Sequence, residues 1–293
     1  MALPRICLLV AVASVVIGAA PTPGPTVQKL TIGTFVRAGF IAPDGHAVQV
    51  QTAVFPRDLV TVRIVDYPYG GPIGETVLRS VQHDVLAAIN GGYFTADYRP
   101  DGLLEVDGVV RTPVRAGLSG FVGSASDDAP VVALADGVDT AKLRDALQGG
   151  PFLVDPGGAH GIKRDDGQRA RRSLVILTAD KIAIAMTAKC GLYDLATALL
   201  QSPEIFGVDH VERALNLDGG PSTGFAVRLP GGEVDVVPET GRLRTVLTIQ
   251  RRSAPSRARK LFSRQSHAVP SANSTMTQSK ATRGPSPALR ASK

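Results

Sequence analysis

The sequence contains very little cysteine, since Cys7 and Cys190 are the only two among 293 residues. Cys7 lies in an apolar run near the start of the chain, so removal of that run would leave Cys190 alone. One cysteine cannot form an intrachain disulfide. A cysteine-rich zinc site is excluded as well, because such a site needs several cysteine ligands. Cys190 is therefore interpreted as a small buried apolar residue.

The histidines and the acidic residues also lack the spacing of a metal site. The five histidines stand far apart, at positions 46, 83, 160, 210 and 267. No segment has the pattern of a calcium-binding loop, although scattered carboxylates such as Asp97 and Asp101 could bind a divalent cation. We therefore expect an activity that requires no metal ion and no cofactor.

Acidic residues are absent from the C-terminal segment. Residues 240–293 contain 12 Lys and Arg and no Asp or Glu, which leaves 20 basic and 26 acidic residues in the rest of the chain. Beyond residue 252 the sequence has too little apolar surface to fold, which predicts a disordered basic tail at 253–293. We expect any contact with anionic polymers in this tail, as in a wall-anchored or nucleic-acid-associated protein, and no specific nucleic-acid partner.

Long apolar runs are missing as well. Residues 1–20 carry one positive charge at Arg5, an apolar run from Ile6 to Ile17, and then small residues, an order typical of a secretory signal peptide. The run is shorter than the roughly 20 residues of a membrane span. We predict a signal peptide at 1–20, no transmembrane span after its cleavage, and a secreted, periplasmic or cell-envelope location; an uncleaved anchor is the alternative.

The middle of the chain has the composition of a globular domain. Hydrophobic residues make up 44% and charged residues 20% of the sequence, and 31 Gly with 21 Pro indicate many tight turns. Residues 21–27, rich in Pro and Thr, are predicted to be a linker, and residues 28–252 a single domain. We assign it to the α+β class, predominantly β with mixed sheets and a few short helices.

The residue patterns locate individual elements. Alternating and β-branched segments predict strands at 29–36, 47–55, 59–65, 85–89, 211–217, 225–229 and 246–249. Asp107-Gly108 and the turn at 179–181 each predict a hairpin, the second joining two strands within 173–187. Helical spacing of apolar residues predicts short helices at 140–147 and 192–200.

Three turns contain paired glycines beside apolar segments. They are Asn90-Gly91-Gly92-Tyr93-Phe94, Gln148-Gly149-Gly150-Pro151 and Asp218-Gly219-Gly220-Pro221-Ser222. Paired glycines permit positive φ angles and expose backbone N–H groups, so such turns can hold an anionic group closely. One Gly-Gly turn is more often a simple hairpin or bulge, but three together predict a functional site.

In this order, the turns resemble the motifs of the phosphodiester glycosidase family. The resemblance covers about residues 85–250 and includes Gly102 to Gly108, Arg172-Ser173 and Asn216-Leu217. The chain departs from the family pattern at Pro221, where a third glycine is usual, and at 174–176, which lacks the usual small residues. The resemblance implies hydrolysis of a sugar joined through its anomeric carbon to a phosphodiester, with a carbohydrate or cell-wall polymer as the expected partner.

The resemblance supports Asp218 as nucleophile or base, and Arg172 suits pairing with the phosphate. One carboxylate can suffice, because a phosphate leaves as a stable anion. The alternative for Asp218 is a cap of its own turn. The predicted catalytic residues are Asp218, Arg172 and Asn90, and the predicted substrate-binding residues are Gly91, Gly92, Gln148, Gly150, Asn216, Gly219, Gly220 and Ser222.

Other interpretations stay open at this point. Glu105, Asp97 or Asp101 could supply a second carboxylate, whereas Arg169 and Arg171 are interpreted as a solvated loop end. The segment 220–224 fits a serine nucleophile elbow, but no helix is expected after it and the only later histidine lies in the tail, which makes a serine hydrolase improbable. The main rival is a non-catalytic carbohydrate- or anion-binding module of the cell envelope.

Overall fold

The computed structural model describes residues 24–252 apart from residue 83. The predicted signal peptide at 1–20, with Cys7, and the predicted tail at 253–293 lie outside the described residues. The first strand begins at Thr26, so it takes in the end of the segment predicted as a linker. Within the described part of the chain, no helix is both long and apolar enough to cross a membrane.

The largest sheet has eight strands. Its order is β1-β2-β3-β14-β13-β15-β11-β12. Its strands span Thr26–Lys29 (β1), Thr34–Ile41 (β2), Ala47–Pro56 (β3), Phe152–Asp155 (β11), Ala159–His160 (β12), Ala170–Leu177 (β13), Lys181–Cys190 (β14) and Arg213–Asn216 (β15). The predicted hairpin around 179–181 is confirmed as the β13–β14 connection. The strand predicted at 29–36 is wrong in part, because a turn with Gly33 at φ +81° separates β1 from β2.

Two five-stranded sheets complete the β structure. One has the order β7-β6-β10-β8-β9 and the other the order β17-β16-β5-β18-β4. The first comprises Leu104–Val106 (β6), Val109–Thr112 (β7), Gly120–Ala125 (β8), Pro130–Leu134 (β9) and Leu143–Gly149 (β10). The second comprises Val60–Asp66 (β4), Val85–Asn90 (β5), Phe225–Arg228 (β16), Val234–Val237 (β17) and Thr245–Arg251 (β18).

The strand pairing corrects one part of the fold prediction. All strand pairs among residues 24–252 are antiparallel, from β1–β2 to β18–β4, so the sheets are not mixed. Alternation of apolar residues marks a strand but carries no information on the direction of its partner. The predominance of β structure with few helices is confirmed.

Helices are few and short. Two α-helices, Thr76–Ser80 (α1) and Leu192–Gln201 (α2), and three 3-10 turns, Thr140–Lys142, Pro203–Phe206 and Gly220–Ser222, lie within the described residues. The predicted helix at 192–200 is confirmed as α2, whose Leu195, Ala196 and Leu199 are buried against the large sheet.

The helix predicted at 140–147 is wrong. Residues Thr140–Lys142 form a single 3-10 turn, and Leu143–Gly149 form β10 in the middle of a five-stranded sheet. Spacing of Leu143, Ala146 and Leu147 fits one helix face, but six of the seven residues of β10 are buried, including Asp145 and Gln148. Burial on both faces of a strand removes the alternation that would have identified it.

The three sheets share one core, and their strand ends meet at one edge of it. Phe35, Val175 and Ile184 of the large sheet pack with Phe225 and Leu247 of another sheet in this core. Strands β5, β10 and β15 all end at polar or glycine residues, namely Asn90, Gly149 and Asn216. Hydrogen bonds join these strand ends to each other, so the packing of the sheets fixes their positions.

Candidate active site

The side chain of Asn90 ties the end of β5 to the other strand ends. Its Nδ2 donates to the carbonyl oxygen of Asp218 at 2.7 Å, and its Oδ1 accepts from the Ser173 hydroxyl at 2.6 Å and the Gly224 N–H at 3.3 Å. Asn90 is fully buried. Its bonds therefore hold the Asp218 turn, β13 and β16 together, which gives Asn90 a positioning part in the site.

Asn216 and Tyr93 form a second group of polar side chains. Nδ2 of Asn216 donates to the Tyr93 hydroxyl at 2.8 Å, and that hydroxyl donates to the carbonyl oxygen of Gly150 at 2.8 Å. Burial, with a smaller contribution from the charge of Asp218, raises the pKa of Tyr93 to about 12, so its hydroxyl stays protonated at neutral pH. Oδ1 of Asn216 is buried without a hydrogen-bond partner in the described structure.

Asp218 lies at the centre of this arrangement, two residues after the end of β15. Its carboxylate Oδ1 accepts the N–H of Gly219 at 2.8 Å, and Ser222 also hydrogen-bonds to the side chain. Burial raises the pKa of Asp218 above its ordinary value, while the bonds from Ser222 and Gly219 oppose this shift. The bond to Gly219 satisfies the turn-capping interpretation as well, but it occupies only part of the carboxylate's hydrogen-bonding capacity.

The glycines of the site leave no room for larger side chains. A Cβ on Gly219 would lie 2.7 Å from the carbonyl oxygen of Arg171, and one on Gly92 would lie 2.7 Å from the carbonyl oxygen of Gln148. Gly220 has φ +61° and Gly150 has φ +151°, conformations that favour glycine. Gly91 abuts the hydroxyl of Thr245. The glycine turns therefore bring backbone segments into direct contact around Asp218.

Arg172 supplies a cation beside this turn. Its Nε donates to the carbonyl oxygen of Cys190 at 3.1 Å and its Nη2 to that of Gln168 at 3.1 Å. No carboxylate pairs with Arg172 among the described residues, and its Cδ lies 4.0 Å from the position of a Cβ on Gly219. Three of its five N–H donors are not used by these two bonds. Arg172 is therefore anchored but retains donors for an anion.

Gln148 has a different role from the predicted contact with substrate. Its Oε1 accepts the N–H groups of Leu103 and Arg115, each at 2.9 Å, and its Nε2 donates to the carbonyl oxygens of Arg115 and Leu118. These four bonds use the full capacity of the amide. Gln148 is also 1% exposed, so its side chain holds the segment 103–118 in place rather than offering free groups.

The predicted alternatives for a second carboxylate do not contact Asp218 in the described structure. Glu105 is buried on β6, where burial and then the neighbouring charge of Asp145 raise its pKa. Asp97 pairs with Arg99 at the surface, and Asp101 pairs with Arg115. The described residues also contain no group of three or more His, Cys, Asp or Glu side chains that could hold a metal ion.

The structure adds residues that the motifs alone did not assign to the site. Tyr93 and Ser173 stood inside quoted motifs, and their hydrogen bonds to Asn216 and Asn90 give them a place there. The interpretation of Arg171 as solvated is wrong, because its Nη2 is buried. Burial lowers the pKa of Arg171, and the negative charge of Glu239, a residue that is 2% exposed, opposes this shift. Its segment carried no motif, so only the fold could locate it.

Arg169 is also more enclosed than a solvated loop end. It pairs with Asp165 at 2.7 Å and lies 3.5 Å from the buried carboxylate of Asp194, near the first residue of α2. Arg169 therefore has carboxylate partners that Arg172 lacks. This difference separates a structural arginine, Arg169, from a candidate ligand-binding arginine, Arg172, only three positions later in the sequence.

Comparison with solved structures supports the fold. The catalytic domain of zebrafish N-acetylglucosamine-1-phosphodiester alpha-N-acetylglucosaminidase, auto-inhibited by its pro-peptide, is 18% identical with a TM-score of 0.56. The similarity covers 78% of this chain and 84% of that chain. A hypothetical protein from Synechocystis is 15% identical with a TM-score of 0.55, over 78% of this chain and 64% of that chain.

The sequence itself was also compared with curated proteins and with protein families. No curated protein matches it. The phosphodiester glycosidase family model matches residues 83–250, in agreement with the resemblance over about 85–250. Because this match covers more than half of the 293 residues, the chain belongs to the phosphodiester glycosidase family.

Proposed function

We propose that this protein is an exported hydrolase that cleaves a sugar-1-phosphodiester, with Asp218 as nucleophile or base. The single observation that carries this proposal is that Arg172, a cation without a carboxylate partner in the described chain, lies beside Gly219, the residue that follows the desolvated Asp218. A phosphodiester carries one negative charge, which a free guanidinium edge complements. The family membership supports the same class of reaction.

The phosphate would bind between Arg172 and the glycine turn. Unused N–H donors of Arg172 would pair with the phosphate oxygens, and the backbone N–H of Gly220 would stabilise charge that develops as the bond breaks. The hydrogen bond from Asn90 to the carbonyl oxygen of Asp218 would fix the turn. The protonated Tyr93 hydroxyl would keep the Asn216 side chain in place. Asp218 would then attack the reacting carbon or activate a water molecule.

The required protonation state of Asp218 follows from this role. A nucleophile or base must be ionised, and burial raises the pKa of Asp218 above its ordinary value. Turnover would therefore fall as the pH drops through that raised pKa, at a higher pH than for an ordinary aspartate. A phosphate leaving group departs as an anion, so the mechanism does not depend on Glu105, Asp97 or Asp101 as a second carboxylate.

The natural substrate would be a carbohydrate or cell-wall polymer outside the cytoplasm, with the tail at 253–293 contacting anionic polymers. Deletion of residues 253–293 tests this part. Loss of polymer binding with unchanged hydrolysis of a small substrate would support it, whereas unchanged polymer binding would contradict it.

The experiment for the reaction measures free sugar released by the purified protein from a panel of sugar-1-phosphodiesters. Release of sugar and phosphomonoester from at least one member is expected. Absence of release from the whole panel would contradict the proposed hydrolysis and favour the anion-binding module. Repetition in ¹⁸O-labelled water locates the attack, because label in the sugar means attack at carbon and label in phosphate means attack at phosphorus.

A further inference from the structure

Tyr193 presents an exposed aromatic ring at the start of α2. The residue is 37% exposed, and its ring packs on the ring of His160 with the centroids 4.8 Å apart and the planes tilted by 38°. Nδ1 of His160 accepts the N–H of Ile162 at 3.2 Å, and its Nε2 lies 3.2 Å from the hydroxyl oxygen of Thr197. We call the two rings the Tyr193–His160 platform.

Hydrogen bonds fix the orientation of this platform. Because Nδ1 of His160 accepts, the neutral imidazole carries its proton on Nε2 and donates a hydrogen bond to Thr197. The Thr197 hydroxyl donates in turn to the carbonyl oxygen of Tyr193 at 2.9 Å. These bonds connect the His160 side chain to the backbone that carries Tyr193, so the two rings are held together.

Support and exposure are separated at two other tyrosines on the surface. Tyr98 stacks on Phe94 with the centroids 5.7 Å apart, but its side chain is half-buried. Tyr69 is 88% exposed, but it has no ring partner among the described residues. Tyr193 combines an exposed ring with a fixed second ring beneath it, which is the arrangement of a surface that binds a ligand by ring contact.

The platform lies near the arginine assigned to phosphate binding. The Cδ atom of Arg172 is beside Gly219, whereas its guanidinium donates to the carbonyl oxygens of Cys190 and Gln168, each at 3.1 Å. Tyr193 follows Cys190 by three residues, so their Cα atoms are at most about 11 Å apart. The guanidinium therefore extends from the glycine turn towards the part of the chain that carries Tyr193.

Two further features place the platform on the same side of the large sheet as Arg172. Arg172, Leu174 and Ile176 are two positions apart along β13, so they face the same side of the sheet. Leu174 and Ile176 pack in the cluster that contains Leu195 of α2. The segment 160–168 also joins the two regions, since its first residue belongs to the platform and the carbonyl oxygen of its last residue anchors Arg172. The platform therefore borders the proposed phosphate site.

We propose that the Tyr193–His160 platform is a binding subsite for a pyranose ring in the alcohol portion of the phosphodiester. This inference rests on the proposed function of Asp218 and Arg172. With the anomeric carbon at Asp218 and the phosphate at Arg172, the alcohol portion lies beyond the phosphate, on the side of the Cys190 carbonyl. The face of an aromatic ring carries partial negative charge and attracts the C–H groups on the apolar face of a pyranose. Tyr193 contacts the sugar, and His160 is a positioning residue.

The first test compares Tyr193→Ala with Tyr69→Ala, a matched change at another exposed tyrosine. Two phosphodiesters of the same sugar are used, one with a hexose as its alcohol and one with methanol. Tyr193→Ala should lower the ratio of kcat/KM for the hexose ester to kcat/KM for the methyl ester by about two- to tenfold, the range of one aromatic contact. Tyr193→Phe keeps the ring and should keep the wild-type ratio, as should Tyr69→Ala. His160→Ala should lower the ratio by a smaller factor.

A second readout does not depend on turnover. The chain has five tyrosines, so ring-¹³C-labelled tyrosine gives few NMR signals, and Tyr193→Phe and Tyr69→Phe assign the two that matter. Titration with the 6-phosphates of glucose, galactose and mannose should shift the ring signals of Tyr193 and leave those of Tyr69 in place. Methyl phosphate has no sugar ring and should shift the Tyr193 signals less.

Failure of this subsite and failure of the proposed function are distinguishable. If the wild-type protein hydrolyses no phosphodiester, the proposed function fails, and the titration alone decides the subsite. A shift of the Tyr193 signals with at least one hexose 6-phosphate, larger than with methyl phosphate, would support the subsite even then. Unmoved Tyr193 signals with all three sugars, or an unchanged ratio of kcat/KM values in Tyr193→Ala, would each overturn it.

Discussion

Two regions of this molecule place aspartates near arginines, and the arginine has different partners in each. At the interface of the two five-stranded sheets, Arg63 donates to Asp128 at 2.8 Å and to Ser124 at 2.9 Å, and lies 3.5 Å from Asp145. At the strand ends, Arg172 donates only to two main-chain carbonyl oxygens in the described structure. The first arginine is neutralised by its neighbours, whereas the second keeps its charge available.

The difference teaches how to separate a structural charge cluster from a candidate site. Burial raises the pKa of both Asp145 and Asp218, so a perturbed pKa does not distinguish the two regions. What distinguishes them is the balance of partners, because Arg63 has carboxylate partners whereas Arg172 has none among the described residues. A binding site for an anion needs a cation that the protein itself leaves unmatched.

The largest expected effect comes from the matched pair Asp218→Asn and Asp145→Asn. Asp218→Asn should lower turnover of a sugar-1-phosphodiester about a thousandfold, because a positioned base or nucleophile typically contributes that much. Asp145→Asn should leave turnover per folded molecule unchanged. Steady-state assays on both purified variants check this, and equal losses in the two would erase the distinction between the regions.

A second pair exchanges each arginine for methionine, which keeps much of the apolar stem. Arg172→Met should lower turnover about a hundredfold, the typical value for one group that stabilises transition-state charge. Arg63→Met should instead lower the free energy of unfolding by about 3–5 kcal/mol, because Asp145 loses its buried partner. Assays and urea denaturation of both variants measure the two effects. A stable and inactive Arg63→Met protein would contradict the structural role.

A third pair tests the close backbone contact at the turn. Gly219→Ala places a Cβ 2.7 Å from the carbonyl oxygen of Arg171, while Gly231→Ala meets nothing within 4 Å. We expect a loss of turnover of about tenfold for Gly219→Ala, because a small displacement of the turn moves Asp218 away from Arg172. Gly231→Ala is the matched control and should retain wild-type kinetics. Full activity of Gly219→Ala would show that the contact is not needed.

The smallest expected effect is on stability as a function of pH. Since the pKa of Asp218 is raised in the folded protein, its contribution to stability is fully present below the ordinary value of 3.8 and is lost as the pH rises through the raised pKa. Asp218→Asn should therefore raise Tm at neutral pH, by about 2–4 °C for each kcal/mol gained in the free energy of unfolding. The gain should vanish in acid. Asp84→Asn, at an exposed position, serves as the control, and a lower Tm for Asp218→Asn at neutral pH would contradict the cause given for the shift.

Sequence patterns predicted much of this fold because local alternation and turn residues agreed with the tertiary structure. The strands at 47–55 and 85–89 and the helix at 192–200 are confirmed by β3, β5 and α2. The prediction of a helix at 140–147 was wrong because β10 is buried on both faces, and a buried strand can carry helical spacing by chance. Pairing direction depended on distant segments and was not encoded locally.

The site shows the same division between local and distant information. The three glycine turns could be predicted from the sequence, and the fold brings them together around Asp218 through Asn90 and Asn216. The occupied amide of Gln148 and the burial of Glu239 against Thr76 could not be predicted, because each depends on segments far away in the chain. Hydrogen-bond saturation is a property of the folded protein.

The central claim is that Arg172 and Asp218 form one site for a sugar-1-phosphodiester. A crystal structure of Asp218→Asn with such a compound tests it most directly, since the variant should bind the compound without turning it over. The account predicts the phosphate against the Arg172 guanidinium and the turn at 219–220, with the anomeric carbon facing residue 218. A phosphodiester bound elsewhere, with Arg172 and residue 218 free of contacts to it, would contradict the account.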